Sequence, residues 1–261
     1  MWDASAPAWL DNHCAHVSSF RNFKSRKARP MAYVFPAPPQ ASLAVQGTDA
    51  RFPVRRIFCV GRNYEAHARE MGNDPDREPP FFFTKPADAA CDTPCTIPYP
   101  PLTNDLHHEI ELVIAIGKGG ANIAAADVMD HIWGASVGID LTRRDLQAEA
   151  KAARRPWDWG KAFDLSAPIA PLKPVADVPS LTNARIWLAV NGEIRQDADI
   201  ADLIWPVADH IATLSEAVTL APGDLVMTGT PAGVDALLEG DVVTGGVDGI
   251  AALEVTIGSR A

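Results

Sequence analysis

An α+β fold built on a mixed sheet is what this 261-residue sequence predicts. Candidate strands outnumber candidate helices, no strict strand–helix alternation persists, and the C-terminal part is a series of short apolar strands separated by Gly turns. A composition of 47% hydrophobic and 21% charged residues, at this length, suits one large buried core.

The elements follow in chain order. Residues 1–30 lack periodicity and end in the basic run "RNFKSRKAR" before a second methionine, Met31. They hold no apolar stretch ahead of a small-residue cleavage site, so a secretory signal is not expected, and Asp3 and Asp11 speak against an organelle transit peptide. We read them as a disordered extension whose origin could be a translation-start artefact. Residues 31–52 form a Pro-rich lead-in, extended over 35–53. "VRRIFCVG" reads as a strand, and Gly61 opens a short amphipathic helix, "GRNYEAHAREMG", closed by Gly72 at its C′ position. "FFFTKP" is a strand rich in aromatics.

"LHHEIELVIAI" is a strand, followed by the loop "GKGGANI" and the short helix "AAADVMDHI". "WGASVGID" is another strand, and "LTRRDLQAEAKAARR" a helix in which Thr142 and Asp145 have capping-box spacing. Asn191-Gly192 marks "ARIWLAVNGEIRQDA" as a β-hairpin. The helix "IWPVADHIATLSEAV" comes next, and "APGDLVMTGTPAG", "EGDVVTGGV" and "GIAALEVTIG" supply the closing strands.

Composition excludes several functions. A net charge of −10 argues against a nucleic-acid partner, which would call for a basic face. Every apolar run is interrupted well short of the roughly 20 residues a membrane-spanning helix needs. The four cysteines make no dense disulfide framework, and Cys91 and Cys95 lack a second Cys/His pair for a metal site. A reduced, cytoplasmic setting is the expectation. "GKGG" lacks the spacing of a phosphate-binding loop, and its Lys118 reads as a solvated turn residue.

The chemistry concentrates in "LHHEIELVIAI". With the period of a strand, Glu109, Glu111, Val113 and Ala115 share one face and Ile110, Leu112, Ile114 and Ile116 the other. The two carboxylates then point the same way, about 6.5 to 7 Å apart at the backbone. Rooted in an apolar strand, they call for a cation between them, for which a hard divalent ion is the natural choice. An edge strand with a solvated face would give the same pattern. Asp140, at a strand-to-helix turn, is a third carboxylate, although a helix cap is the commoner role there. Lys161 stands among two tryptophans and a phenylalanine, either paired with carboxylates or snorkelling to the surface. His67 and Glu70 share a helix face, as a base and its orienting carboxylate would, and as many exposed pairs do.

Taken in order, "IFCVGRNYEAHAREM", "FFFTKP", "LHHEIELVIAIGK", "GIDLTRRDLQ", "GKAFDLSAPI", "NGEIRQ" and "PGDLVMTGTPAGV" resemble the fumarylacetoacetate hydrolase family over residues 53–258, and within it the bacterial fumarylpyruvate and acylpyruvate hydrolases. The resemblance implies a mixed β-sandwich roll with short peripheral helices, commonly a homodimer, acting on a small 2-oxo acid. It implies Glu109, Glu111 and Asp140 as ligands of Mg²⁺ or Mn²⁺, Lys161 beside the metal, and His67 with Glu70 as the water-activating dyad. Arg62, Arg144, Gln147 and Thr230 match residues that hold substrate oxygens. The N-terminal extension and the Cys91 to Cys95 loop depart from the family pattern.

The implied reaction is hydrolysis of the C–C bond of a 3-acylpyruvate, most simply fumarylpyruvate to fumarate and pyruvate in gentisate-type breakdown of aromatic acids. Relatives with the same carboxylates decarboxylate oxaloacetate, and others isomerise or hydrate dienoic diacids. Acetylpyruvate is a further alternative, because a fumaryl chain needs a cationic partner for its far carboxylate and an acetyl group does not. Arg143 is a candidate for that partner and equally a candidate surface residue.

Overall fold

The computed structural model describes residues 32–70 and 79–260. The expected disorder of 1–30 and the expected Gly72 cap lie outside the described residues. Two units are distinguished, Met1–Pro38 and Pro39–Ala261, and in the first the described residues 32–38 form no helix or strand.

Within the second unit the larger sheet runs, edge to edge, through Phe81–Lys85, Arg56–Gly61, Asp224–Met227, Ile110–Ile116, Ile132–Ile139, Ala167–Ile169 and Ala90–Asp92, with Lys173–Pro174 also paired to Ile132–Ile139. It is mixed: Asp224–Met227 is parallel to Arg56–Gly61 and antiparallel to Ile110–Ile116. A five-stranded sheet is ordered Glu193–Asp199, Arg185–Val190, Val242–Val247, Ala251–Arg260, Cys95–Tyr99.

Strand period decides how these layers meet. Ile110, Leu112, Ile114 and Ile116 join Ile186, Leu188, Val243, Val255 and Ile257 of the five-stranded sheet in one core. On the opposite face Val113 and Ala115 join Ile57, Leu225, Met227 and Ile169 in a second core. That core is completed by Leu43, Val45 and Phe52 of a hairpin, Ser42–Val45 with Thr48–Pro53. Residues 35–53, expected to be merely extended, therefore contain paired strands, because the alternating apolar residues Leu43, Val45 and Phe52 close a face that would otherwise be open. The strand Ile110–Ile116 is central and wholly buried. The solvated-edge reading of its glutamates fails for that reason.

Two further expectations change in detail. The strand "LHHEIELVIAI" is broken: Leu106–His107 pairs in a small third sheet with Thr142–Arg143 and Ala236–Leu237, and regular structure resumes at Ile110. At the break the Ile110 N–H donates to the side-chain carbonyl of Gln196, 3.1 Å away, instead of to a strand. The Thr142/Asp145 capping box does not form. The Thr142 hydroxyl donates to Asp140 O (3.0 Å), and the Asp145 carboxylate accepts from Thr103 Oγ1 (2.6 Å) and the Asn104 N–H (3.1 Å), tying the helix Arg144–Ala152 to a loop. The Asn191-Gly192 hairpin forms, with φ of 52° and 82° at the two turn residues.

The helix Val207–Ala217 is anchored beside the "GRNY" turn. Asn63 Nδ2 donates to Trp205 O (3.0 Å) and Thr228 O (2.8 Å), and its Oδ1 accepts from Trp205 N (2.7 Å), so one side chain joins three segments. Buried His210 contacts Trp205 O through Nδ1 at 3.1 Å, while its Nε2 has no partner among the described residues. Burial lowers the His210 pKa to about 4. A depressed histidine leaves stability intact above the unfolded-state value and removes it as pH falls toward the folded value. Between pH 7.5 and 5 His210 should cost about 2 kcal/mol of stability. Chemical unfolding of the wild type and of His210→Gln at both pH values checks this, with a shallower pH dependence expected in the variant.

Candidate active site

Sheet pairing assembles the carboxylates. Ile110 is opposite Ile139 and Glu111 opposite Gly138, so Asp140, one residue beyond the strand, faces Glu109 and donates its N–H to Glu109 O at 2.8 Å. All three carboxylates are buried, and their ligand atoms lie within 4.8 Å of one another. Glu111 accepts from the Gly229 N–H (2.8 Å) through one oxygen, leaving the other without a hydrogen bond among the described residues.

Cations surround this cluster. Lys161 Nζ donates to Glu109 Oε2 (2.7 Å), Asp140 Oδ2 (2.6 Å) and Thr142 Oγ1 (2.7 Å), which uses all three ammonium hydrogens. Lys161 is buried rather than snorkelling. It arrives on the short helix Asp158–Lys161, where Gly160 packs so closely on Gln147 that an added Cβ would stand 3.0 Å from the Gln147 Cβ and N. Arg144 reaches Glu109 Oε1 (2.5 Å) and donates to Gln147 Oε1 (2.7 Å).

The electrostatics divide the three acids. Burial alone would push the Glu109 carboxyl up, but Lys161 and Arg144 outweigh it and hold the group below the usual carboxylate range. Burial likewise works against the Lys161 ammonium and is overcome by Asp140 and Glu109, leaving its pKa raised. Glu111 goes the other way: burial, then the charges of Asp140 and Glu109, push its carboxyl well up. An ionised Glu111 thus needs a further cation, and a buried three-carboxylate oxygen set with an open lone pair suits a hard divalent ion. Glu109, Glu111 and Asp140 are the residues that would hold it.

The loop "TGTPAG" serves the rest of the site. Besides the Gly229 contact to Glu111, the Gly233 N–H donates to the Glu70 carboxylate at 3.2 Å. Glu70 Oε2 lies 3.2 Å from His67 Nδ1, in the helix Glu65–Glu70. Burial lowers the His67 pKa against the raising influence of Glu109 and Glu70, which favours the neutral imidazole a base requires. Gly229 and Gly233 have φ of +97° and +96°, and a Cβ there would meet Asn63 Cβ at 2.7 Å and Arg195 O at 2.0 Å, so both positions require glycine.

Arg62, His67, Glu109, Glu111, Arg144, Gln147, Lys161 and Thr230 line one cleft, with Asp140 and Glu70 directly behind it. Arg143 does not join them. Its guanidinium stacks 4.3 Å from the Phe163 ring centre and donates to Trp159 O at 3.2 Å. Its burial removes the surface reading, and its absence from the cleft lining removes the substrate-partner reading.

Two site-supporting residues were not singled out from the sequence. Gln196 accepts the Ile110 N–H and stands 3.0 Å from His108 Nδ1 through Oε1, and donates through Nε2 to Thr230 Oγ1 (2.8 Å) and Pro231 O (2.8 Å). Because Thr230 Oγ1 is the acceptor in that bond, its hydroxyl hydrogen is free to point into the cleft. Nothing in "NGEIRQ" signals this long-range contact. Lys85 is the other: its Nζ lies 2.8 Å from Asp140 Oδ1, at an angle unsuited to a hydrogen bond, and donates to Leu141 O (3.2 Å) and to the Lys161 carbonyl. A lone lysine closing the aromatic strand "FFFTKP" could have been questioned on the same grounds as Lys161. Lys85→Met should cost about 3 to 5 kcal/mol by stranding part of the Asp140 charge. Differential scanning fluorimetry should show a thermal midpoint lowered by roughly 10 °C, and an unchanged midpoint would contradict the assigned role.

Comparison with known proteins agrees with this architecture. The family model for the fumarylacetoacetate (FAA) hydrolase C-terminal region matches residues 56–258. The crystal structure of a fumarylpyruvate hydrolase from Pseudomonas aeruginosa, in complex with Mn²⁺ and pyruvate, is 50% identical, with a TM-score of 0.86 over 88% of this chain and 100% of that one. A candidate fumarylpyruvate hydrolase from Burkholderia cenocepacia is 59% identical, with a TM-score of 0.84 over the same shares. The mitochondrial oxaloacetate tautomerase of Arabidopsis thaliana is 39% identical over 205 residues, 78% of this chain and 92% of that protein. With most of the chain matched in sequence and in fold, this protein belongs to the fumarylacetoacetate hydrolase family.

Proposed function

We propose that this chain is a metal-dependent hydrolase of 3-acylpyruvates, splitting fumarylpyruvate into fumarate and pyruvate. The observation that carries the reading is the meeting, in one cleft, of a buried carboxylate triad and a His67–Glu70 dyad. Hydrolysis needs both a place for the 2-oxo acid and a base for water. The likeness to a fumarylpyruvate hydrolase solved with Mn²⁺ and pyruvate supports the same substrate class and Mg²⁺ or Mn²⁺ as the cofactor.

A divalent ion on Glu109, Glu111 and Asp140 would supply Lewis acidity toward the carboxylate and keto oxygens of the pyruvate end. Arg144, Gln147 and the free Thr230 hydroxyl hydrogen orient the substrate oxygens. His67, held by Glu70, takes a proton from water as its oxygen attacks the acyl carbonyl farther from the pyruvate carboxylate. The tetrahedral intermediate collapses with cleavage of the C–C bond, the electron pair passing to the pyruvate methylene carbon as an enolate. Lys161, already charged and buried at this spot, stabilises the developing negative charge. The proton returned from His67 to that carbon completes pyruvate, and the acyl part leaves as fumarate.

A second reading, conversion of oxaloacetate, is favoured by the likeness to the Arabidopsis thaliana tautomerase. It requires no activated water, so retention of the His67–Glu70 dyad favours hydrolysis. The homodimer rests on the family resemblance and the reduced, cytoplasmic setting on the scattered cysteines, and no described helix is long and apolar enough to cross a membrane.

Steady-state assays of fumarylpyruvate, acetylpyruvate and oxaloacetate, each with Mg²⁺, Mn²⁺ or EDTA, should show metal-dependent hydrolysis of fumarylpyruvate that EDTA abolishes. Faster turnover of oxaloacetate would overturn the substrate assignment. His67→Ala should lower fumarylpyruvate turnover about 10²- to 10⁴-fold, and undiminished turnover would remove His67 as the base.

A further inference from the structure

We propose that Lys151 binds the far carboxylate of the acyl chain and so makes the site selective for a long dicarboxylic acylpyruvate over a short monocarboxylic one. The inference rests on the hydrolase reading above.

Lys151 lies on the helix Arg144–Ala152 seven residues beyond Arg144 and four beyond Gln147, hence on the same helix face, and lines the same cleft. Seven residues of α-helix separate it from Arg144 by about 10 Å along the axis. Arg144 contacts Glu109, whereas Lys151 is exposed, so Lys151 marks the outer end of the cleft and the carboxylate triad the inner end.

Among the described residues no ion pair meets the Lys151 charge at contact distance, and Glu109 attracts it only from farther off. The cleft cations Arg144 and Lys161 are both ion-paired to Glu109. Among the described residues Lys151 has no carboxylate partner; its Nζ sits 5.0 Å over the Trp157 ring. Trp157 meets Phe81 edge-on at 5.4 Å, and the Arg62 guanidinium lies 5.1 Å over the Phe81 ring. Two aromatic rings thus hold two cations on one cleft wall. Partial burial, then repulsion from Arg144, lowers the Lys151 pKa to about 8, so at neutral pH it is still charged and held against like charges. An anion bound at the outer end relieves that repulsion.

Such a site discriminates by substrate length. A fumaryl chain extends a second carboxylate far from the 2-oxo acid anchored at the inner end, an acetyl group has none, and oxaloacetate keeps its second carboxylate beside the keto group. Arg143, stacked on Phe163 outside the cleft, cannot serve this purpose.

Lys151→Met keeps most of the stem and removes the charge, and Lys151→Arg keeps the charge. With kcat and KM measured for fumarylpyruvate and acetylpyruvate, the ratio of the two kcat/KM values should fall about tenfold in Lys151→Met, carried mainly by a higher KM for fumarylpyruvate. Lys151→Arg should restore most of the ratio. An unchanged ratio in Lys151→Met, including an equal loss on both substrates, overturns the proposal while leaving the hydrolase reading in place. Failure of the wild type to hydrolyse either acylpyruvate overturns the hydrolase reading and the subsite with it.

Discussion

The structure depends on keeping three carboxylates buried together. Isolated charges of that kind are too costly to bury, and like charges this close oppose one another. Around Glu109, Glu111 and Asp140 the chain therefore places Lys161, Lys85 and Arg144, drawn from a short helix, an edge strand and a helix N-terminus. Each brings its own element into register: Lys161 ties Asp158–Lys161 to the sheet, Lys85 binds carbonyls at Leu141 and Lys161, and Arg144 starts the helix that carries Gln147 and Lys151. What compensates charge also positions residues that line the cleft. The asymmetry matters as well. Glu109 is satisfied by protein cations, whereas Glu111 is raised by burial and by its acidic neighbours and, among the described residues, takes its hydrogen bond from the Gly229 N–H.

A second constraint is the loop between residues 228 and 233. Its backbone touches Glu111 through Gly229 and Glu70 through Gly233, and its Thr230 side chain is set by Gln196. The carboxylate-triad side of the cleft and the His67–Glu70 side are thereby held to one segment. Positive φ values at both glycines and close approach to Asn63 and Arg195 leave no room for side chains there. Gln196 belongs to the five-stranded sheet, so the distance between the two layers of the sandwich bears directly on where the Thr230 hydroxyl points. Packing of Ile110 and Leu112 against that sheet is in this sense part of the active-site geometry.

The candidate cleft also has polarity along its length. Buried acids with paired cations lie at one end, and at the other lies an exposed lysine with no carboxylate partner among the described residues. A small 2-oxo acid matches the first end by oxygen chelation and hydrogen bonding. The second end distinguishes among the acyl groups attached to it, a distinction that the carboxylate triad cannot make because it meets the part of the substrate common to all of them.

By itself the sequence determined the alternation that separates Glu109 and Glu111 from the isoleucines of the same strand, the Asn191-Gly192 turn, and the residue types gathered at the cleft. These are local properties: strand period, left-handed turn residues, and the cost of burying a charge in an apolar run. It also carried an ordered set of motifs specific enough to indicate the family. Tertiary structure decided what no local pattern encodes. Thr142 and Asp145 have the spacing of a helix cap, yet Lys161 and Thr103, distant in the chain, recruit them instead. Arg143 and Lys151 look alike as helix cations in the sequence, and only the packing of Phe163 and Trp157 turns one away from the cleft and holds the other within it. Lys85 and Gln196 acquire their roles from partners 34 and more positions away, because pairing of strands, not spacing along the chain, sets which polar groups must satisfy one another.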